Sequence, residues 1–360
     1  MCRLAFVLGI VVLFSSSTVA FLSAGCNQRV AISQQATALS DSSKESNNEK
    51  MKLQQYTHKT FNLTYLYKEA APGREKDKPI ILIHPVGIGL SSWFWKRLME
   101  SYNDNPPIYA PDLIGCGIDH GADAWDPDEI GLFFPLSWVE GVETLMNEIV
   151  IPNWKEMQTL QFPNVLDFNR QMNNENNGCL VIVQGGLAPV GVMLAKRNPL
   201  TVSKLMLTSP PTYKDMTTAV PTAELQRNYN FLKSEIFGSI AFSLLESMAL
   251  IKFFSNRFLF QDACDEEWLD ETERESVVAA RTPVQAFNAG LLQHRSFQED
   301  LKESPQPKLI VSGTGDKRSI DRQPYKEQLD TCSLVTIPGL NVLPWESPKE
   351  VVDLIRELGY

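Results

Sequence analysis

The sequence lacks the cysteine and histidine patterns that are typical of metal sites or disulfide frameworks. It also has no cluster of cations. Its 360 residues contain four histidines and six cysteines, with no C-x-x-C pair and no histidine at ligand spacing. We therefore expect reduced thiols and neither a disulfide framework nor a metal site. Lys and Arg total 33 against 43 Asp and Glu, a formal net charge of −10. This deficit argues against nucleic acid as a partner, and no cofactor is predicted.

The bulk composition fits one large domain with an insertion. Hydrophobic residues make up 43% of the chain and charged residues 21%, so a chain of this length can bury a substantial core. The sequence leaves the oligomeric state open.

Residues 1–50 have the composition of a targeting leader. Residues 4–14 form a short apolar run, and residues 15–20 are small, as before a signal-peptide cleavage site. Residues 22–50 are rich in Ser, Gln, Asn and Ala, and resemble a transit peptide added to a signal. The whole resembles the bipartite plastid leader of diatoms and related algae, so we predict delivery to a plastid. Secretion and lipidation at Cys26 are the alternatives.

Short apolar runs alternate with helical patterns along most of the remaining chain. The runs lie at 79–84, 107–112, 179–183, 204–208, 308–313 and 333–337. Continuous apolar runs of this length are typical of parallel strands that are buried on both faces. The alternation predicts an α/β fold with a doubly wound, mostly parallel sheet. Residues 213–303 lack strand signals and predict a helical cap between two core parts, 51–212 and 304–360.

Several motifs between residues 80 and 358 resemble those of the α/β-hydrolase superfamily. I-H-P-V-G at 83–87 is similar to the loop that supplies the oxyanion hole, with Pro85 in place of its glycine. A-P-D-L-I-G-C-G at 110–117 is close to a family turn. V-Q-G-G-L at 183–187 resembles the strand-to-helix elbow that carries the nucleophilic serine. The resemblance implies a hydrolase fold with a helical cap.

The same resemblance implies that two of the three catalytic residues are missing. Family spacing back from Pro199 assigns the nucleophile position to Gly185, and the neighbouring register, Gly186, has no hydroxyl either. G-T-G-D at 313–316 places Asp316 at the position of the acid. The P-G and P-x-E-x-P frame at 338–348 places Val342 at the position of the histidine. The I-H-P-V-G and V-Q-G motifs resemble those of a plastid branch of the superfamily in plants and algae.

We therefore predict a non-hydrolytic protein that binds an apolar small molecule at a vestigial site. The predicted site residues are His84, Pro85, Val86, Gln184, Gly185, Gly186 and Val342, with Asp316 as the retained acid. His84 and Asp316 each have a structural alternative, in fixing a loop and a turn respectively. A second hypothesis is an unorthodox hydrolase, esterase or lyase that uses Asp316 or His84 with an activated water. A third is an interaction subunit with an empty pocket.

A cysteine, two histidines and one apolar stretch are the remaining candidates for a functional role. Cys116 is interpreted as a small apolar residue, because no base is visible near it, and His120 and His294 as surface or packing residues. The apolar stretch 231–260 is consistent with a lid packed on the body, with one wall of an apolar pocket, or with a peripheral membrane contact.

Overall fold

The computed structural model describes residues 51–131, 135–159, 178–235 and 237–360. The predicted leader, residues 1–50, lies outside them. Eight strands form one sheet in the order β1-β2-β4-β3-β5-β6-β7-β8. The strands are β1 Met51–His58, β2 Phe61–Lys68, β3 Ile80–Ile83, β4 Ile108–Pro111, β5 Cys179–Gln184, β6 Val202–Thr208, β7 Lys308–Gly313 and β8 Cys332–Ile337. The β1-β2 and β2-β4 pairs are antiparallel and all others are parallel, which confirms the predicted fold class.

Helices connect the strands and cover both faces of the sheet. Before β6 they are α1 Lys96–Ser101, α2 Pro127–Ile130, α3 Leu136–Leu145, α4 Ile151–Thr159 and α5 Ala188–Arg197. Between β6 and β7 they are α6 Tyr213–Thr217, α7 Thr222–Lys233, α8 Phe237–Leu245, α9 Met248–Phe254, α10 Glu266–Glu275, α11 Arg281–Asn288 and α12 Gln298–Glu303. After β7 they are α13 Gln323–Gln328, α14 Leu343–Glu346 and α15 Pro348–Glu357.

The central strands are apolar on both faces because each face packs against helices. All four residues of β3 are fully buried. Ile81 and Val183 point into one hydrophobic cluster, and Ile80 and Ile182 into the cluster on the opposite face. This two-sided burial explains why these strands read as unbroken apolar runs.

The chain between β6 and β7 forms only helices in its described residues, and we call residues 213–303 the cap. One anchor of the cap is Trp268 on α10, which is almost fully buried. Its ring centroid lies 5.2 Å from that of Trp93 and 5.4 Å from that of Trp345, both in edge-on contact. The Asp265 side chain caps the start of α10 by accepting a hydrogen bond from the Trp268 N–H at 2.9 Å. The cap is thereby fastened to the body at α10.

Among the described residues, no single helix is long and apolar enough to cross a membrane. One bent pair, Gly238–Leu245 with Met248–Leu259, reaches that length and composition, and its two halves meet at 74°.

Candidate functional site

The chain turns sharply where β5 meets α5. Gly185 directly follows β5 and begins a 3-10 turn, Gly185–Leu187, that leads into α5. Its φ of 63° lies in the left-handed region, which glycine adopts without steric cost. A Cβ placed on Gly185 would have no heavy atom within 4 Å. The turn has the strand-to-helix geometry of a nucleophile elbow and has room for a side chain, yet the residue there has none.

The cap reaches the elbow through one aromatic ring. Phe287 lies on α11, and its Cζ would be only 2.4 Å from a Cβ placed on Gly186. Real Cβ atoms do not approach that closely, so Phe287 occupies the space above Gly186. The neighbouring glycines therefore differ, since the position above Gly185 is open and the position above Gly186 is filled.

Gln184 ties the elbow to the end of β6 and to the turn after β8. Its amide Nε2 donates to the carbonyl oxygen of Asn341 at 2.5 Å, and its Oε1 accepts from the Thr208 hydroxyl at 2.6 Å. Only 3% of Gln184 is exposed. Both ends of the buried amide are thus hydrogen-bonded within the protein, as burial of a polar group requires. Gln184 braces the site and brings the elbow next to the residue before Val342.

Val342 lies in an apolar environment in the turn between β8 and α14. It is buried and belongs to the same hydrophobic cluster as Phe260, Trp268 and Trp345. Its N–H points to the carbonyl oxygen of Leu259 in the cap, at 3.4 Å. A valine fits these neighbours, whereas an imidazole would have to be buried among apolar side chains.

Asp316 is engaged by its own turn and by a buried arginine. Its Oδ1 accepts from the Arg318 N–H at 2.9 Å, and its Oδ2 accepts from Arg322 Nη1 at 2.5 Å. Arg322 also donates through Nε to the carbonyl oxygen of Pro210 at 2.6 Å. The turn lies beside the loop that contains Val342, because the Gly315 N–H donates to the carbonyl oxygen of Gly339. The Asp316 carboxylate is therefore paired, and the partner Arg322 was not predicted from the sequence.

His84 is fully buried in the loop that follows β3. The Leu113 N–H donates to its Nε2 at 3.1 Å, so Nδ1 carries the proton and donates to the carbonyl oxygen of Pro85 at 2.8 Å. Burial lowers the pKa of His84, which favours this neutral form. Both ring nitrogens are used by the backbone. The next two predicted site residues, Pro85 and Val86, have apolar side chains, and Val86 is buried in the same hydrophobic cluster as Ile83.

A second group of polar side chains, not predicted from the sequence, lies after β4. Asp112 directly follows β4 and is fully buried. Its Oδ1 accepts from the Ser92 N–H at 2.6 Å, and its Oδ2 accepts from the Thr64 hydroxyl at 2.6 Å. His120 Nδ1 lies 3.1 Å from Oδ2 of Asp112, and its Nε2 lies 3.4 Å from Oε1 of Glu275. We call Asp112, His120 and Glu275 the carboxylate-imidazole cluster.

The cluster joins the body of the protein to the cap, because Glu275 is the last residue of α10. Burial raises the pKa of Glu275 to about 7, against the opposing charge of His120. Burial alone would lower the pKa of His120, but its hydrogen bond to Asp112 and the charges of both carboxylates raise it. The Asp112 pKa is held low by His120 despite its burial. These shifts favour an imidazolium beside an ionised Asp112, and they make Glu275 titrate close to neutral pH.

A small cavity lies beside Glu275, with a volume of about 10 Å³, which holds roughly one water. Its apolar walls include Ile88, Phe242 and Val284. The ion pair between Arg281 and Glu246 also lines it, with Arg281 Nε 2.7 Å from Glu246 Oε1.

The remaining candidates have no catalytic setting in the described residues. Burial raises the pKa of the Cys116 thiol well above its usual value, which disfavours a reactive thiolate. His294 is exposed and its Nδ1 lies 3.1 Å from the carbonyl oxygen of Leu291. Cys116, Cys179, Cys264 and Cys332 are free thiols. No group of three or more His, Cys, Asp or Glu side chains in the described ranges could hold a metal ion.

Comparison with known proteins gives a family and a fold. The sequence profile of the Alpha/beta hydrolase family matches residues 80–354. A search of curated proteins finds no match. Among solved structures, a serine hydrolase involved in carbazole degradation, CarC, superposes with a TM-score of 0.60 at 12% identity, covering 86% of this chain and 98% of that chain.

Two further structures show the same relationship. The epoxide hydrolase CorEH has a TM-score of 0.58 at 16% identity, with 86% of this chain and 98% of that chain covered. A haloalkane dehalogenase variant from Bradyrhizobium elkanii has a TM-score of 0.58 at 14% identity, with the same coverages of 86% and 98%. At such identities the likeness shows the fold alone.

Proposed function

The chain belongs to the alpha/beta hydrolase family, and we propose that it is a non-hydrolytic, plastid-delivered member that binds an apolar small molecule at a vestigial active site. The observation that carries this proposal is the elbow. Gly185 adopts a left-handed conformation between strand and helix and has no side chain to attack a substrate. An acyl-enzyme cannot form at a position without a hydroxyl, thiol or carboxyl group.

The environments of the other two triad positions support the same proposal. Val342, at the position of the base, cannot accept a proton and is packed among apolar side chains. Asp316, at the position of the acid, is paired with Arg322. The alternative enzyme would activate a water through Asp316 or His84. Each of these residues would first have to break two hydrogen bonds within the protein.

The surroundings of the elbow favour an apolar ligand. Phe287 of the cap lies against Gly186, and the position above Gly185 is open and has no charged group within 4 Å of an added Cβ. The cavity beside Glu275 holds only about one water, and the ring of Phe287 covers Gly186. A ligand of the size of an acyl, isoprenoid or pigment fragment would therefore bind between α11 and the elbow, with displacement of Phe287.

Hydrolysis is tested with a panel of ester and thioester substrates. We expect the unmodified protein to show no turnover above buffer. A Gly185→Ser/Val342→His variant, assayed beside it, shows whether the frame still supports hydrolysis when the two missing groups are returned. Turnover by the unmodified protein that Asp316→Asn or His84→Gln abolishes would replace this proposal with the unorthodox enzyme.

Binding is tested by thermal unfolding with acyl, isoprenoid and pigment fragments. A ligand that binds only the folded protein stabilises it by about 2.7 kcal/mol at a hundredfold excess over Kd. We expect Gly185→Leu, which fills the open position, to abolish the shift. Gly73→Leu is the matched control, since Gly73 also has a positive φ and no heavy atom within 4 Å of an added Cβ. Equal shifts in both variants would place the ligand elsewhere.

A further inference from the structure

Two helices of the cap expose large apolar side chains to solvent. We call residues 237–259, which contain α8, α9 and the turn after α9, the α8–α9 surface. Its exposed apolar side chains are Ile240 at 65%, Phe253 at 57%, Phe258 at 43% and Leu244 at 38%. These four are among eleven large hydrophobic residues that are exposed in the described chain. Such a concentration in one short segment marks an interaction surface.

The two exposed charged side chains of the α8–α9 surface are both cations. Its cations are Lys252 and Arg257, and its single acid is Glu246. The Glu246 carboxylate is paired with Arg281, with both side chains largely buried. Lys252 lies 3.6 Å from Glu266 on α10, an exposed pair of the kind that contributes little stability. The surface is thus apolar and cationic, although the whole chain has a net charge of −10.

Aromatic side chains lie beside the cations. The Phe254 and Phe258 rings are stacked with centroids 6.1 Å apart, and the Arg257 guanidinium lies 5.5 Å from the Phe258 ring centroid. Short helices with Phe and Leu exposed on one side and Lys or Arg beside them bind in the headgroup region of a bilayer. Phosphate groups of anionic lipids would meet the cations there.

We propose that the α8–α9 surface binds an anionic lipid bilayer, with α8 and α9 lying in the headgroup region. A second copy of this chain is the main competitor for the surface. In a symmetric dimer each copy presents the same patch, so Lys252 and Arg257 would face their own counterparts or lie close to them. Repulsion between like charges disfavours that pairing, whereas anionic lipid matches both the apolar and the cationic side chains.

The test is co-sedimentation of the full chain with vesicles of phosphatidylcholine alone or mixed with phosphatidylglycerol. All samples carry Val11→Asp and Leu13→Asp, which interrupt the apolar run of the leader and remove its own affinity for lipid. We expect the parent protein to bind the anionic vesicles at least tenfold more strongly than the neutral ones. The affinity should fall as salt rises, because exposed charges are screened.

Two variants identify the surface. Phe253→Ser/Phe258→Ser should reduce the partition coefficient at least tenfold, and Lys252→Glu/Arg257→Glu should remove the preference for anionic vesicles. The matched control is Val278→Ser/Ile320→Ser, which changes two apolar residues outside the surface that are even more exposed, and it should bind like the parent. Circular dichroism melting confirms that each variant is folded.

Three outcomes would overturn the proposal. In the first, the parent protein does not bind anionic vesicles at low salt. In the second, a folded Phe253→Ser/Phe258→Ser variant binds them as strongly as the parent. In the third, light scattering shows a dimer that this variant dissociates, with no vesicle binding by either protein, which would assign the surface to a second copy. None of these results bears on hydrolysis or on the ligand at the elbow.

Discussion

The elbow after β5 and the carboxylate-imidazole cluster after β4 both begin directly at the carboxyl end of a parallel strand. This edge is where α/β folds place their ligands and catalytic groups. At the elbow, Gly185 has no side chain, and Val342, which follows the residue that Gln184 contacts, has an apolar one. At the cluster, the buried carboxyl groups of Asp112 and Glu275 face the partly buried imidazole of His120.

The two places therefore differ in their chemistry. The cluster brings titratable side chains together, whereas Gly185 and Val342 at the elbow have none. Asp112, at the centre of the cluster, already has partners within the protein. It accepts hydrogen bonds from the Ser92 N–H and the Thr64 hydroxyl, and it faces His120. It fastens α10 of the cap to the body. The elbow is free of charge and has open space above Gly185. The cluster therefore contributes to the stability of the fold, and the elbow is the place where we propose that a ligand binds.

The largest expected effect is the loss of the central carboxylate of the cluster. Asp112→Ala leaves the Ser92 N–H and the Thr64 hydroxyl without their acceptor, and it removes the ionic partner of the partly buried His120. Breaking a buried ion pair from one side costs about 3–5 kcal/mol, so we expect a loss of that order in the free energy of unfolding. Urea unfolding measures it. The control variant Asp330→Ala, at an exposed position, should have a free energy of unfolding within about 0.5 kcal/mol of the parent. Equal losses in Asp112→Ala and Asp330→Ala would show that the cluster does not stabilise the fold.

The strands and the elbow could be predicted from the sequence because each depends on neighbouring residues. The apolar run at 308–313 coincides with β7, Lys308–Gly313, since a strand buried on both faces must be apolar throughout. Gly185 was assigned to the elbow by its spacing from Pro199. The residue sits in the strand-to-helix turn with a positive φ. Spacing along the sequence is sufficient to predict such a residue, because the strand-to-helix turn is formed by residues that are neighbours in the chain.

The cluster could not be predicted, because its members meet only in the tertiary structure. Glu275 belongs to α10, whose sequence E-E-W-L-D-E-T-E-R-E contains five glutamates with no mark that separates Glu275 from the exposed Glu273. His120 was interpreted as a surface or packing residue, since no nearby residue suggested a partner. The contact of Phe287 with Gly186 could not be predicted either, because it also joins residues that are far apart in the sequence. Both contacts depend on how the cap packs on the body.

An intermediate effect is expected in the dependence of stability on pH. Burial raises the pKa of Glu275 from 4.5 to about 7, so between these pH values the folded chain holds a proton that the unfolded chain releases. This contribution is fully present below pH 4.5 and is lost as the pH rises through 7. His120, whose pKa is also raised, acts in the same direction.

Glu275→Gln should remove this part of the pH dependence while keeping a neutral acceptor beside Ser91 and His120. We expect the variant to be more stable than the parent at pH 8, by about 1–3 kcal/mol, and close to it at pH 5. Unfolding in urea at both pH values measures the difference. Glu273→Gln, an exposed change on the same helix, should follow the parent at both. A Glu275→Gln curve parallel to that of the parent would show that Glu275 is ionised in the folded protein throughout this range.

The smallest effect is expected at the elbow itself. Gly185→Ala adds a methyl group where no heavy atom lies within 4 Å, so its cost comes only from the backbone. A left-handed conformation costs an alanine about 1–2 kcal/mol relative to glycine. Gly73→Ala, with a φ of 86° and equally open space, should lose the same amount to within about 0.5 kcal/mol. A clearly larger loss at Gly185 in urea unfolding would mean that the elbow is packed more tightly than its open geometry indicates. Equal losses would mean that the elbow tolerates a side chain at Gly185 at the cost of backbone strain alone, in contrast to the cluster, where the loss of one carboxylate leaves buried hydrogen-bond donors without an acceptor.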